Sequence, residues 1–411
     1  MPERRDRFRI AIRDFGPFEA AIREGWRAYC EATGCPLGLE VVAFDLRGLH
    51  EAALAAEGLK RGEWDAALLV TDWLAEAGEG RALADLGARL RAEPGSDYPD
   101  AWTDSLLRHQ RFGDAVLGLP FHDGPECLVY RTDLLDAAGA RVPDTWEEFR
   151  ALARMLSAPE ERRWGTVFAA YPDGHNTVYD FCLQLWSRGG DFFDASGKIR
   201  LDTPAAEEAL AFYRGLLRDA GAIHPECRRL DSIESGRAFA RGEAAMMVNW
   251  FGFAVMAETL PESRVRGRVS VAPVPATPGF ARTALNVYWI LGAGAGSPHP
   301  AEAYEFIRTC TGTAGDKGLT LGGGVGCRRS TWRDPEVCRR LPFYPELETL
   351  HKGARELPRH PAWEQLSRVI DRLVTRAINT AETESRLLAD AQREAGRIGS
   401  ISPAPSLPSP R

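Results

Sequence analysis

The segment from Gly118 to Leu135 places the strongest constraint on how this chain can fold. An apolar strand at 115–119 runs into a polar turn at 120–125 that two prolines and a glycine interrupt, and a second apolar strand follows. The segment ends in the Asp-Leu-Leu sequence at 133–135, which is typical of a helix start. This order indicates a chain that crosses from one lobe to another and leaves polar side chains at the crossing.

Strand and helix patterns alternate from the beginning of the chain, which predicts an α/β fold. Apolar runs at 8–12, 39–44 and 64–70 are predicted strands, and residues at helical spacing lie between them. Because ligand-binding loops follow the carboxyl ends of parallel strands, the loops that contain Phe15 and the pair Asp72-Trp73 are candidates for a binding site. The structural alternative is that Trp73 covers the next helix and Asp72 is its N-cap.

Size and composition favour a soluble protein of several domains. At ~150 residues per domain, 411 residues correspond to about two to three domains. The net charge is −7 and no basic block stands out, which argues against a nucleic-acid partner. No apolar run approaches the ~18 residues of a membrane-spanning helix. The N-terminal residues lack the apolar core of a signal peptide, which leaves two alternatives, a removed signal or a cytoplasmic protein.

A second informative segment is Val142–Phe149, where Thr145 as N-cap and Glu148 three residues later form a predicted capping box. In order and spacing, the two segments and four others further along the chain resemble the extracellular solute-binding proteins of ABC importers. The resemblance is to the sugar-binding branch, which is maltose-binding-protein-like. The four other segments are Gly242–Met247, Asn286–Leu291, Pro298–Phe306 and the long helix from 364.

The resemblance implies a type II periplasmic-binding-protein fold, α/β with two lobes, each a mixed sheet flanked by helices. It also implies a carbohydrate ligand of one to a few sugar units in the interlobe cleft, delivery to permease subunits of an ABC transporter, a periplasmic location and a monomer. A sensor that binds ligand without coupling to transport is an alternative within the same family.

In this family the chain crosses between the lobes three times, and on this sequence the crossings are expected near 118, 283 and 326. Residues 1–118 and 284–326 would then form the N-terminal lobe, and residues 119–283 and 327–399 the C-terminal lobe. The Pro/Ser-rich residues 400–411 are predicted to be a disordered tail. The third crossing contains four glycines where the family often has a proline turn, and these would serve either close approach of a ligand or a flexible hinge.

A sugar site needs aromatic rings for the C–H faces of the sugar and polar side chains for its hydroxyls. Trp250 follows an apolar strand and matches the family position where an aromatic residue often stacks on sugar. We expect Trp250 to stack on the ligand with its indole N–H left for a hydroxyl, and Asn249 to lie beside it at a loop mouth. The structural alternative is a tryptophan of the core.

Further candidates follow from the strand and crossing patterns. Asn286 and Tyr288 share one face of a predicted strand, which is expected to look into the cleft while Trp289 points into the core. His122 and Asp123 lie at the first crossing, where the family commonly binds ligand; a hinge with a local Asp turn is the alternative.

Two more candidates are weighed against structural roles. His175 and Asn176 begin a helix whose free N–H groups suit a hydroxyl or an anion, and a purely structural role is equally consistent with the pattern. Arg328, beside the glycines, could bind a hydroxyl pair or an acidic sugar, although such arginines more often lie in solvent.

No motif for catalysis, cofactor binding or metal binding is present. The sequence lacks GxSxG, HExxH and P-loop patterns, its histidines lack metal-ligand spacing, and its eight cysteines form no CxxC pair. We therefore predict no enzyme, no cofactor and no metal. A carbohydrate-cleaving hydrolase or lyase is the alternative, because both kinds of cleft share aromatic and acidic residues. Disulfides between Cys30 and Cys35 or between Cys327 and Cys338 stay open for an oxidising compartment.

Overall fold

The structure, a computed structural model, describes residues 6–93, 97–194, 196–358 and 363–398. The strands within these ranges are β1 Arg7–Arg13, β2 Gly38–Phe44, β3 Ala66–Val70, β4 Arg111–Phe112, β5 Ala115–Val116, β6 Leu119–His122, β7 Glu126–Arg131, β8 Trp164–Val167, β9 Ala244–Trp250, β10 Val269–Ala272, β11 Ala284–Leu285, β12 Trp289–Ala293 and β13 Ala354–Arg355. The predicted tail at 400–411 lies outside the described residues.

The helices of the same ranges connect and cover these strands. They are α1 Gly16–Thr33, α2 Leu46–His50, α3 Leu74–Glu79, α4 Gly87–Ala92, α5 Asp104–His109, α6 Thr132–Ala137, α7 Trp146–Leu156, α8 Asn176–Trp186, α9 Pro204–Leu217, α10 Ser232–Ala240, α11 Phe251–Thr259, α12 Pro300–Cys310, α13 Thr313–Leu321, α14 Arg329–Trp332, α15 Pro335–Arg340, α16 Leu347–Gly353, α17 Trp363–Asn379 and α18 Glu384–Ala395.

Two mixed sheets organise the chain. The first has the order β2-β1-β3-β12-β6, with β1 parallel to β2 and β3 and with β12 antiparallel to β3 and β6. The second has the order β10-β7-β9-β8, with β7 antiparallel to β9 and β10 and with β8 parallel to β9. Each sheet is the centre of one lobe. The first lobe therefore combines the beginning of the chain with β12, and the second lobe is built from the middle.

The first passage between the sheets lies at residues 123–125, later than the expected boundary at 118. β6 pairs with β12 in the first sheet, and Leu119, Pro120 and Phe121 are buried there. Proline is tolerated because β6 is an edge strand of that sheet. The polar turn that crosses therefore begins only after His122.

The remaining passages are residues 273–288 and the glycine-containing segment 322–326. The third passage runs beside the first, because the N–H of Asp123 donates to the carbonyl of Val325 and the N–H of Val325 donates to His122 Nδ1, both at 3.0 Å. Beyond it, α14 and α15 still pack on α13, whereas Phe343 and Tyr344 pack edge-on against Phe251 of α11, and α17 packs on α8 and α9 in the second lobe. The start of the 327–399 segment thus lies against the first lobe.

Local signals place several elements where the sequence predicted them. Gly34 ends α1 with φ 69°, a left-handed conformation that glycine adopts without strain. The capping box of α7 forms in both directions, from Glu148 N to Thr145 Oγ1 and from Thr145 N to Glu148 Oε2. Helix α8 is buried along its whole length in the second lobe, where it packs on α9 and α17.

All eight cysteines are free thiols in this structure, so neither Cys30–Cys35 nor Cys327–Cys338 forms a disulfide in it. Across the described part of the chain, every helix is too short or too polar to cross a bilayer.

Candidate ligand site between the lobes

A cavity of about 120 Å³ lies between the two lobes and is lined from both sides. The first lobe contributes mainly aromatic and aliphatic residues, and the second contributes aromatic residues together with hydrogen-bonding groups. The principal residues are Phe15, Phe18, Val70, His122 and Trp289 from the first lobe, Asp173, His175, Asn176, Tyr179, Ser232 and Trp250 from the second, Asp123 and Gly124 from the first passage, and Val287 from the second passage.

Two larger cavities adjoin this one. A cavity of about 1110 Å³ shares Arg13, Phe15 and Ile233 with it, and a cavity of about 280 Å³ on another side shares Leu46, Asp173 and His175. The three cavities therefore have lining residues in common, and the central one is lined by both Trp250 and Trp289.

The second-lobe wall is a hydrogen-bonded aromatic group. The indole N–H of Trp250 donates to Asn176 Oδ1 at 3.2 Å, and the Tyr179 ring meets the Trp250 ring edge-on at 5.5 Å. The His175 ring packs edge-on against Tyr179 at 4.8 Å. Burial, and secondarily the charge of Arg13, lower the pKa of His175 to about 3, so its imidazole is neutral at pH 7.

Two details of the Trp250 prediction are wrong. Its indole N–H is already used by Asn176, and the residues after it form a helix rather than a loop, because α11 begins at Phe251 with Trp250 as N-cap. Trp250 nevertheless lies at the cavity and is only partly buried, which is the exposure that a stacking residue needs.

The first-lobe wall consists of rings packed edge-on. Phe18 meets Phe15 at 5.0 Å, His122 at 4.8 Å and Trp289 at 5.7 Å between ring centroids. Phe15 and His122 were predicted at the site, whereas Phe18 and Trp289 were missed.

The orientation predicted for residues 286–289 is wrong. Val287 and Trp289 line the cavity, and Asn286 and Tyr288 point the other way. Trp289 pairs in register with Val70 and with His122, and directly paired residues point to the same side of a sheet. The sequence correctly predicted that Asn286 and Tyr288 share one face of the chain. Which face lies in the cleft is decided by the pairing of Trp289 with Val70 and His122.

Asn286 and Tyr288 therefore have positions behind the cleft. Tyr288 is fully buried and its hydroxyl donates to the carbonyl of Leu106. Asn286 is buried beside a small cavity of about 10 Å³ that Asp72 and His109 also line.

Asp72 joins the lobes directly. Its Oδ2 accepts a hydrogen bond from the hydroxyl of Tyr179 at 2.8 Å, across the cleft. Burial raises the pKa of Asp72 to about 7, although the Tyr179 hydrogen bond acts in the opposite direction. Asp72 is not the N-cap of α3, because Trp73 occupies that position without a side-chain cap. Trp73 itself is buried and lines the 280 Å³ cavity.

His122, the last residue of β6, and Asp123 of the first passage both line the central cavity. Burial lowers the pKa of His122 to about 4, so the imidazole is neutral at pH 7, and its Nδ1 accepts the N–H of Val325. Asp123 is buried, and its Oδ2 lies 2.6 Å from Nε2 of His351.

Asn249 and Arg328 do not line the cleft, so the ligand contacts predicted for them are wrong. Asn249 is buried, donates to Ser235 Oγ at 3.0 Å and accepts from the N–H of Trp250, which fixes the end of β9 against α10. Arg328 is buried rather than solvated, because it donates to Thr311 O, pairs with Asp97 and lies over the Trp102 ring at 4.6 Å.

The glycines of the third passage have two roles: one allows the close approach of a carboxylate, and two others line a cavity. A Cβ at Gly326 would lie 2.3 Å from Oδ2 of Asp316, whose carboxylate accepts the N–H groups of Cys327 and Arg328. Gly322 and Gly323 line the 1110 Å³ cavity. Close backbone approach is therefore required at Gly326 by the protein itself.

One arrangement resembles catalytic machinery. Ser105 Oγ lies 3.0 Å from Nδ1 of His351, whose Nε2 contacts Asp123, so the three side chains make the contacts of a Ser-His-Asp triad. Among the cavities described above, Asp123 is the member that lines one, and Ser105 contacts Thr103 instead. The nucleophile is thus placed away from the cleft. No group of metal-ligating side chains occurs among the described residues.

The sequence model of the bacterial extracellular solute-binding proteins matches residues 45–317, well over half of the chain. The chain belongs to this family. Among curated proteins, this solute-binding protein is similar to a probable ABC transporter-binding protein of Deinococcus radiodurans, with 29% identity over 68% of the chain. The chain spans 66% of that relative's own length.

Solved structures agree with the fold. Maltose-bound MalE3 of T. maritima matches with a TM-score of 0.86 and 24% identity over 95% of this chain and 99% of that one. A solute-binding protein of Agrobacterium radiobacter K84 in complex with ribitol matches with a TM-score of 0.87 and 23% identity over 95% and 98%. The two-lobed, maltose-binding-like α/β fold is confirmed, and the family is one of binding proteins rather than of catalysts.

Proposed function

We propose that this solute-binding protein holds a carbohydrate or a polyol in the interlobe cleft and delivers it to the permease of an ABC importer. The observation that carries the proposal is the central cavity, which two half-buried tryptophans, Trp250 and Trp289, line from opposite lobes. Flat aromatic faces suit the C–H faces of a sugar, and hydrogen-bonding groups at the rim suit its hydroxyls. The similar structures carry maltose and ribitol, which belong to that chemical class.

The proposed ligand is neutral or mildly acidic, with Arg13 as its cationic contact in a cavity that Asp123 and Asp173 also line. The imidazoles of His122 and His175 are neutral at pH 7, because burial lowers both pKa values. The Arg13 guanidinium lines the central and the largest cavity, and its one hydrogen bond to a described residue is to the carbonyl of Phe44. An acidic group on a sugar would pair with this guanidinium, and the hydroxyls of a neutral sugar would donate to the carboxylates of Asp123 and Asp173, which line the same cavity.

A thermal-shift screen over sugars, polyols, sugar acids and glycosides tests the ligand class. A ligand at about 100 times its dissociation constant should raise the free energy of unfolding by ~2.7 kcal/mol. Stabilisation by amino acids, peptides or metals, with none by carbohydrates, would refute the assignment.

Delivery to a permease, a periplasmic or extracellular location and a monomeric state belong to the same proposal. Reconstitution with the permease and ATPase of an ABC importer from the same organism should give ligand-dependent ATP hydrolysis. Light scattering after size exclusion should give the mass of one chain. A rate of ATP hydrolysis that is the same with and without the binding protein would favour a ligand sensor that is not coupled to transport.

A further inference from the structure

Asp123 is a residue of the central cavity wall, and one of its two carboxylate oxygens has no hydrogen-bond partner among the described residues. Its Oδ2 lies 2.6 Å from His351 Nε2, whereas its Oδ1 is buried and has no hydrogen-bond partner among the described residues. The residue as a whole is 2% exposed. A buried acceptor without a donor costs free energy, and native structures rarely leave one without a reason.

His351 is held rigidly on the far side of this carboxylate. Its Nδ1 lies 3.0 Å from Ser105 Oγ, and the Trp332 ring stacks on it at 5.0 Å with an interplanar angle of 16°. Trp332 is in turn fixed, because its indole N–H donates to the carbonyl of Gly326 at 2.7 Å. His351 therefore connects α16, α5 and the first and third passages between the lobes.

A second buried His–Asp pair shows what a purely structural arrangement looks like. His299 and Asp65 are fully buried in the first lobe, at 3.2 Å. Both oxygens of Asp65 are used there, Oδ2 by the N–H of Arg9 and Oδ1 by Ser297 Oγ as well as His299. Neither residue lines a described cavity. Asp123 differs in both respects, since it has an unused oxygen and a cavity beside it.

The geometry points to His351 as a positioning residue for the ligand site: it orients Asp123 so that Oδ1 accepts a hydrogen bond from a hydroxyl group of the bound carbohydrate. This inference rests on the proposed function and adds to it a residue outside the cleft wall. The Ser105–His351–Asp123 chain then acts as a support for an acceptor and has no catalytic role. A ligand that offers a hydroxyl at this point is preferred over its deoxy counterpart, because a buried site built for a donor loses more when the donor is missing.

Calorimetric titration with maltose, ribitol, D-glucose and D-mannitol tests the inference. For each of these that wild type binds, His351→Leu should weaken affinity at least tenfold, about 1.4 kcal/mol. His351→Gln should stay within threefold of wild type, because the glutamine amide can still donate to Asp123. His299→Leu is the matched control: its melting temperature should fall and its affinity should not change.

If His351→Leu does not fold, His351→Asn takes its place, because the shorter amide does not reach Asp123 and the same tenfold loss is expected. Equal affinities for wild type, His351→Gln and the disrupting variant would overturn the inference. A wild-type protein that binds none of the four compounds counts against the inference, whereas the proposed function fails only when no carbohydrate or polyol stabilises the protein in the thermal-shift screen, so the two failures are distinct.

Discussion

The two walls of the cleft are both aromatic, but they are built differently. On the second lobe, Trp250, Asn176 and Tyr179 are linked to one another by a hydrogen bond and edge-on ring contacts, and Tyr179 also bonds Asp72 across the cleft. On the first lobe, Phe18 and Trp289 pack edge-on without a hydrogen bond between them.

The difference suggests that the two lobes contribute differently to binding. The first lobe supplies an apolar surface for the ligand, and the second lobe supplies an aromatic surface and also orients the ligand. A ring held by a hydrogen bond keeps one position, and it loses less entropy when a ligand stacks on it. A wall of packed phenyl and indole rings tolerates small shifts of the ligand. Substitutions on the second-lobe wall should therefore affect affinity most.

The largest effect is expected from Trp250→Ala. Loss of an aromatic anchor should weaken ligand binding by roughly 2–4 kcal/mol, measured by titration calorimetry. The melting temperature of the unliganded protein should fall only modestly, because the buried Oδ1 of Asn176 loses its donor. Trp289→Ala should weaken binding less, since the neighbouring rings Phe15 and Phe18 remain. A larger loss for Trp289→Ala than for Trp250→Ala would break the proposed division between the walls. A Trp250 variant that melts far earlier and binds normally would show that Trp250 belongs to the core.

A second test uses the residue next to Trp289 on the opposite face. Tyr288→Phe leaves the carbonyl of Leu106 without its donor and should lower the free energy of unfolding by about 1–3 kcal/mol in denaturant titrations. Because Tyr288 points away from the cleft, the ligand affinity should stay at the wild-type value. A loss of affinity without a loss of stability would reverse the assignment of the two faces.

The smallest effect, counted per pH unit, concerns the contact between the walls. The pKa of Asp72 is about 7 in the folded protein, above the ordinary value of 3.8, so the folded protein binds more protons at this site than the unfolded chain between these values. The Asp72 contribution to stability is therefore present at low pH and is lost as pH rises towards 7.

Asp72→Asn removes this titration and keeps an oxygen for the Tyr179 hydroxyl. Between pH 4 and 7 the free energy of unfolding of wild type should fall relative to that of the variant, by at most about 1.4 kcal/mol per pH unit. If the free energies of unfolding of the two proteins, measured by chemical denaturation, change in parallel with pH, the pKa of Asp72 is not raised by folding. The contact of Asp72 with Tyr179 would then contribute no pH-dependent stability.

The sequence was sufficient for the fold and for part of the site, for identifiable physical reasons. Caps and turns are local, so the start of α7 at Thr145 and the end of α1 at Gly34 could be predicted from neighbouring residues. The candidates Phe15, His122 and Trp250 come from strand ends and a crossing, and these are also visible locally.

Other features depend on partners far away in the chain. The face of Trp289 is set by pairing with β3 and β6, and the burial of Arg328 is set by Asp97, Trp102 and Thr311. The pairs Tyr179–Asp72 and His351–Asp123 join residues 107 and 228 positions apart, so no local pattern could reveal them.

The central claim is that a carbohydrate is held between two lobes that close on it by bending at the three passages. Small-angle X-ray scattering of the protein with and without a compound that stabilises it in the thermal screen tests this claim most directly. The account predicts a smaller radius of gyration with that compound, and a loss of this compaction in Trp250→Ala at the same concentration. An unchanged scattering curve at saturating ligand would contradict it, because a ligand bound by one wall alone gives no reason for the lobes to close.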